Sequence, residues 1–142
     1  YNNDSQYDSI YGKLYNWFAV SDTRNLCPTG WHVPTDAELT VLTDYVANNG
    51  HSGTEGTALK STSGWNSNGN GTDDYGWLGL PGGHRSKLSG YFYAMGDYGY
   101  WWSSSEDDPI NAWIRNLNAT SDVVASYATN KEGGFSVRCL RD

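Results

Sequence analysis

Basic residues are scarce in this chain: nine Lys and Arg stand against sixteen Asp and Glu, for a formal net charge of −7. With no basic stripe there is no nucleic-acid footprint and no attraction to anionic lipid. An acidic surface tolerates neutral partners such as sugars, and also serves solubility alone. Long apolar runs are missing, so nothing reads as a transmembrane span, and no secretory leader is visible. The chain opens at Tyr1 rather than Met, as expected of a mature or trimmed piece whose leader or anchor lay upstream. Catalytic signatures are missing as well: there is no HExxH, no G-x-S-x-G and no CxxC.

What is present is aromatic and glycine-rich. The 142 residues fit one domain and hold 7 Trp, 11 Tyr and 17 Gly, but only 3 Phe and 1 Met. A domain of this length buries about 70% of the surface that its unfolded chain exposes, so it needs no metal simply to fold. Trp and Tyr bury large areas while keeping a polar handle. Together with abundant Gly, Asn and Ser they indicate a loop-rich, mainly β chain. Two cysteines, Cys27 and Cys139, lie far apart. One distant pair suggests a disulfide and an oxidising compartment. Two free buried thiols are the alternative at this point.

Residues 1–10 are polar and read as a flexible lead-in to a single domain over 11–142. Tyr11–Val20 is rich in aromatic and β-branched residues and predicts a first strand. Trp31-His32-Val33 predicts a short strand, stopped by Pro34. Thr35-Asp36-Ala37-Glu38 has the form of a capping box. Leu39, Leu42 and Val46 then recur at steps of three and four, which predicts a helix over about 35–48, stopped by Asn48-Asn49-Gly50. A weaker helical turn is expected around Thr57–Ser61. Ser63–Gly76 is a long Gly/Asn/Asp loop, of a length that is usually functional or mobile.

Short strands are expected at Trp77–Leu80, Gly90–Ala94, Gly99–Ser103, Asn111–Asn118 and Val123–Tyr127. In Asn111–Asn118, Ala112 and Ile114 fall on one side and Trp113, Arg115 and Leu117 on the other, with Asn116 breaking the first pattern. Gly134–Leu140 closes the domain, with Phe135, Val137 and Cys139 on an apolar face. The order indicates an α+β fold with a mixed, mostly antiparallel sheet, one main helix and long irregular loops.

Five segments carry a family resemblance: YGKLYNWFAV at 11–20, LCPTGWHVPTDAEL at 26–39, LPGGHR at 80–85, GYWWSSS at 99–105 and GFSVRCLRD at 134–142. Together they resemble the Fibrobacter succinogenes major paralogous domain. WHVPTDAEL and the Gly-Phe-x-Val-Arg ending are also similar to the formylglycine-generating-enzyme fold, which is C-type-lectin-like. The resemblance implies that fold, supports a Cys27–Cys139 disulfide, and implies secretion or cell-surface display in Bacteroidetes- and Fibrobacter-like bacteria. It brings no settled activity, and a fold alone does not supply one.

Several groups are candidates for chemistry. Formylglycine-generating enzymes use two cysteines near the end of the domain, whereas this chain has only Cys139 there, in an apolar strand pattern. His32, between Trp31 and Val33, reads as a packed structural histidine. His84, beside Arg85 after a Gly-rich turn, is a weak candidate for exposure. A glycosidase needs two carboxylates facing across a cleft, and the acidic runs here lie in turns.

No cofactor is required, but calcium is an optional one. Asp73 and Asp74 end an oxygen-rich loop, and Asp107 and Asp108 form a second candidate beside Glu106. The plainer reading of both is a solvated turn. Tyr, Ser, Asn and Gly together resemble the composition of paratopes. Within Tyr98–Asn130, the flat candidates are Tyr98, Trp101, Trp113 and Tyr127, and the hydrogen-bonding ones are Asp107, Asn111, Arg115 and Asn118. Adjacent strand residues face opposite sides, so one of Trp101 and Trp102 is expected to be buried and the other exposed.

The expected function is a non-catalytic extracellular or cell-surface module that recognises a glycan or protein ligand. Related folds include binding domains diversified by retroelements, and 104–130 suits that form. A structural or pilus-tip accessory domain is the alternative, and a glycan-active hydrolase the third. Oligomeric state is not legible.

Overall fold

Polar and aromatic residues at the start of the chain turn helical rather than extended. The computed structural model describes all 142 residues. Helix α1, Ser5–Tyr11, occupies most of the expected lead-in, and the Asp4 side chain caps it by accepting from the Gln6 N–H. Helix α2, Trp17–Val20, starts where Asn16 accepts from the Ala19 N–H. The strand expected over 11–20 therefore shrinks to Tyr15, which pairs with Phe135 in an isolated bridge. The physical reason is local. Asn16 offers a helix cap, and the short turn that follows drops Trp17 and Val20 into the core.

Strand β1, Trp31–His32, leads into the main helix α3, Asp36–Val46. The capping box is made: the Thr35 hydroxyl accepts from the Glu38 N–H at 3.2 Å, and Glu38 accepts from the Thr35 N–H at 2.8 Å. One further turn, Ala47–His51, follows, in which Gly50 has φ 102°. Only glycine adopts that conformation without strain, so the helical path ends there. Helix α4 is Glu55–Leu59.

The rest is antiparallel. Strands β2, His84–Arg85, and β3, Phe92–Tyr93, form a two-residue pair. Strands β4 (Tyr98–Glu106), β5 (Asn111–Asn118) and β6 (Ala125–Asn130) form a meander. The last of these begins two residues later than the expected Val123. Strand β7, Leu140–Arg141, pairs with β1 and brings the two ends of the domain together. Beside it Cys27 and Cys139 form a disulfide, with Cα atoms 5.8 Å apart. Trp77–Leu80 is no strand. Only Gly79 pairs, with Lys60.

The β4–β5 ladder separates two apolar clusters. Trp102, Ala112 and Ile114 pack with Trp17, Val20, Val33 and Phe135. Trp101 and Leu117 pack with Val46, Ala58, Leu59 and Trp65. Trp101 and Trp102 are therefore both buried, at 5% and 0% exposure, because each face of β4 is covered at this point. Asn116 is also buried, on the Ala112–Ile114 side, and its amide donates to the Gly99 and Leu117 carbonyls at 3.0 Å.

The long Ser63–Gly76 loop is built into the second cluster. Trp65 is buried, and its indole N–H donates to the Gly79 carbonyl at 3.0 Å. A Cβ on Gly69 would stand 2.1 Å from the Ala119 carbonyl oxygen, and one on Gly71 would stand 2.3 Å from that of Thr57. The glycines are there so that backbone can approach backbone.

Candidate functional site

Period-two alternation puts Tyr98, Tyr100 and Trp102 on one face of β4, opposite Asn118, Asn116 and Ile114 of β5. Ile114 in turn lies opposite Tyr127 of β6. Toward Trp102 this face is core. Toward Tyr98 it opens. The Tyr98 and Tyr100 rings stack at 5.7 Å and 12°. His84 stands edge-on to Tyr100 at 5.4 Å and lies against Tyr93 at 5.8 Å. Tyr93 and Tyr127 keep 45% and 41% of their surface exposed. Beside them is a depression of about 210 Å³ bordered by His84, Lys87, Thr129 and Asn130.

The rings of this face are neutral, with the cations Arg85 and Lys87 bordering the depression beside them. Burial pushes the Tyr100 hydroxyl well above the ordinary tyrosine range, and the neighbouring Tyr127 and Tyr98 add to the shift. Burial also raises Tyr127, with Tyr98 adding. Burial pushes His84 below its ordinary value, so its imidazole is neutral at pH 7. The Nδ1 atom of His84 is buried and has no hydrogen-bond partner. The arrangement presents flat rings with hydroxyl donors.

Of the residues predicted from sequence, Tyr98, Asn118 and Tyr127 come together on this face. Asn118 is partly occupied, because its side-chain oxygen accepts from the Thr120 N–H at 2.8 Å. The other five predicted contacts are elsewhere or committed to the fold, Asp107 being exposed in the β4–β5 turn. Trp101 is core and offers no platform. Arg115 is 5% exposed and donates to Asp36, to the Asp36 carbonyl at 2.9 Å, to Thr40 at 2.7 Å and to Ser126 at 2.6 Å. It anchors α3 to the sheet, with both terminal nitrogens engaged. Trp113 alternates onto the same side as Arg115, away from the tyrosines. Asn111 is held by Asp108, to which its amide donates at 2.9 Å.

The aspartates named as optional calcium ligands lie in turns and loops. No three His, Cys, Asp or Glu side chains are grouped so as to hold a metal ion. Asp73 accepts from the Leu78 N–H at 2.6 Å and Asp74 from the Thr72 hydroxyl at 2.7 Å. The Asn111 side-chain amide at 2.9 Å, and then the Ile110 and Asn111 N–H groups at 2.7 Å, donate to Asp108 and hold its carboxyl below its usual range. Asp107 is exposed in the same turn. These carboxylates shape turns.

His32, expected to be packed, keeps 36% of its side chain exposed and bridges two carboxylates. Nδ1 lies 2.6 Å from Asp142 and Nε2 3.1 Å from Glu38, and the two carboxylates raise its pKa, Asp142 first. Tyr100, Tyr93 and His84 belong to the site but were missed as site residues. The Tyr98-x-Tyr100 spacing carried the signal for Tyr100. Tyr93 and His84 join through β2–β3 pairing, which no local pattern reveals.

No curated protein and no solved structure matches the chain. The family model of the Fibrobacter succinogenes major domain matches residues 1–141, and the chain belongs to that family.

Proposed function

We propose that this chain is a non-catalytic extracellular recognition module of C-type-lectin-like fold that binds a glycan or protein ligand on its tyrosine face. The observation that carries the reading is the unfinished face of the β4–β6 sheet. Trp102, Ile114 and Ala112 cover one end of it completely, while Tyr98, Tyr100 and Tyr127, with Tyr93 and His84 beside them, are left half-buried. Half-buried, pre-packed aromatic rings lose little entropy on binding and offer both a flat surface and hydroxyl donors.

Other observations support the reading. A Cys27–Cys139 disulfide suits an oxidising compartment, and no helix is long and apolar enough to cross a membrane. The acidic runs that a hydrolase would use are engaged in turns, and Glu106 pairs with Lys131 at 3.0 Å.

The test is a glycan-array screen with calcium and again with EDTA, followed by Tyr127→Ala. Tyr127 is exposed enough for the variant to fold. Binding that survives EDTA and falls at least tenfold in the variant supports the reading. Binding lost in EDTA makes calcium a partner. Absence of glycan binding in both conditions removes the sugar and leaves a protein ligand or a structural role.

A further inference from the structure

A second cleft lies on the other side of β4, where Trp77 meets Trp101 edge-on at 6.0 Å. It measures about 260 Å³ and is walled by Leu39 and Leu42 of α3, by Trp77 and by Leu140. Two charged groups reach it, Glu38 and Arg138. Leu39, Leu42 and Trp77 also border a narrow gap in front of Trp101 and Leu117. The volume is just under the roughly 300 Å³ at which small-molecule pockets begin.

Arg138 is the unusual member. Its guanidinium lies over the Trp77 ring at 4.6 Å. It takes part in none of the ion pairs of the protein. Its Nε atom is buried without a hydrogen-bond partner, and its only bond is a long one, 3.5 Å, from Nη2 to the Leu78 carbonyl. Burial lowers its pKa from the ordinary arginine value, with Asp73 acting weakly the other way. Arg115, Lys60 and Lys131 are more deeply buried, and each is satisfied by carbonyl, hydroxyl or carboxylate partners. Arg138, partly buried, has only the Trp77 ring and one long carbonyl contact, and its buried Nε–H is unmet, which leaves a cation short of oxygen partners.

Glu38 does not answer it. One Glu38 oxygen takes the Thr35 N–H and hydroxyl, both at 2.8 Å, and the other lies against His32. With Glu38 engaged by Thr35 and His32, the cleft has no uncommitted carboxylate to pair with Arg138. What remains is a planar cationic fork at the edge of an apolar slot. That combination matches a carboxylate on an apolar body, the carboxylate taking the guanidinium donors.

We infer that the cleft between α3 and Trp77 binds a small free carboxylic acid, its carboxylate on Arg138 and its apolar chain between Leu39, Leu42 and Trp77. This site is separate from the tyrosine face, so the two readings stand or fall independently.

The test is a titration of the whole, ¹⁵N-labelled chain with hexanoate, hexanamide and N-acetyl-Gly-Leu-amide, followed at the Trp77 indole N–H and the Arg138 Nε–H. Hexanoate is expected to shift both signals saturably, at least tenfold more tightly than hexanamide. Arg138→Gln, checked for fold by its remaining spectrum, is expected to bring hexanoate down to the level of hexanamide. The comparison of the two ligands on the unmodified chain does not depend on the variant folding. No saturable shift with hexanoate, equal affinity for hexanamide, or tighter binding of the carboxylate-free dipeptide amide would each overturn the proposal.

Discussion

Arg115 shows how a residue suited to ligand contact can be consumed by the fold. Its alternation in β5 aims it at the first turn of α3, where the Asp36 carboxylate, the Asp36 carbonyl and Thr40 wait for its donors. An arginine fork spreads its charge over several fixed acceptors at once, which a lysine does not do. Replacing it with alanine leaves Asp36 without its partner. Because the Asp36 side chain keeps 29% exposure, water recovers part of that loss. Arg115→Ala is therefore expected to cost about 3 kcal/mol, at the low end for a broken buried pair. Urea denaturation checks the value. An unchanged midpoint would show that Arg115 does not anchor the helix.

At the scale of elements, α3 is the best-determined piece, and its start is the place to test it. The Thr35 hydroxyl and Glu38 satisfy each other's backbone groups, and Glu38 extends the link to His32 of β1. Thr35→Ala is expected to destabilise the domain by about 1 kcal/mol, the ordinary cost of losing an N-cap. Thr35→Ser should recover most of it, since the hydroxyl is what accepts the bond. Thermal melts of the two variants separate these outcomes.

The same helix shows why part of the fold was legible. Cap, apolar period and glycine stop lie within sixteen residues of one another, so local sequence decides α3. Tyr11–Val20 has strand composition, yet one asparagine at position 16 opens a short helix inside it, and composition averages over such a point. The site divides in the same way. Tyr98, Asn118 and Tyr127 were readable from their stretch. Tyr93 and His84 reach them only through β2–β3, and Trp101 was misjudged because two cores cover β4 where one was assumed. Arg138 was hidden in the apolar closing segment, where only its missing partner gives it away.

At the scale of the whole molecule, the chain closes on itself at one point. β1 pairs with β7, and beside that pair the disulfide joins residues 112 positions apart. Between the bridge and the sheet lies the closing segment, which carries Phe135 into the first core against Trp102 at 4.7 Å. A cross-link over a loop of this length restricts the unfolded chain by about 5 kcal/mol in the entropy model, and residual structure in the unfolded state reduces what is observed. Cys27→Ser combined with Cys139→Ser is therefore expected to lower stability by about 2–5 kcal/mol. The near-ultraviolet circular dichroism of the tryptophans should weaken with it, because the two-residue β1–β7 pair is short to hold Phe135 against Trp102 without the bridge. Denaturation of the unmodified chain with and without a thiol reductant gives the same comparison without mutation. Equal stability in both conditions would mean that β1–β7 pairing and the two cores close the domain alone, and that the disulfide adds nothing to its closure.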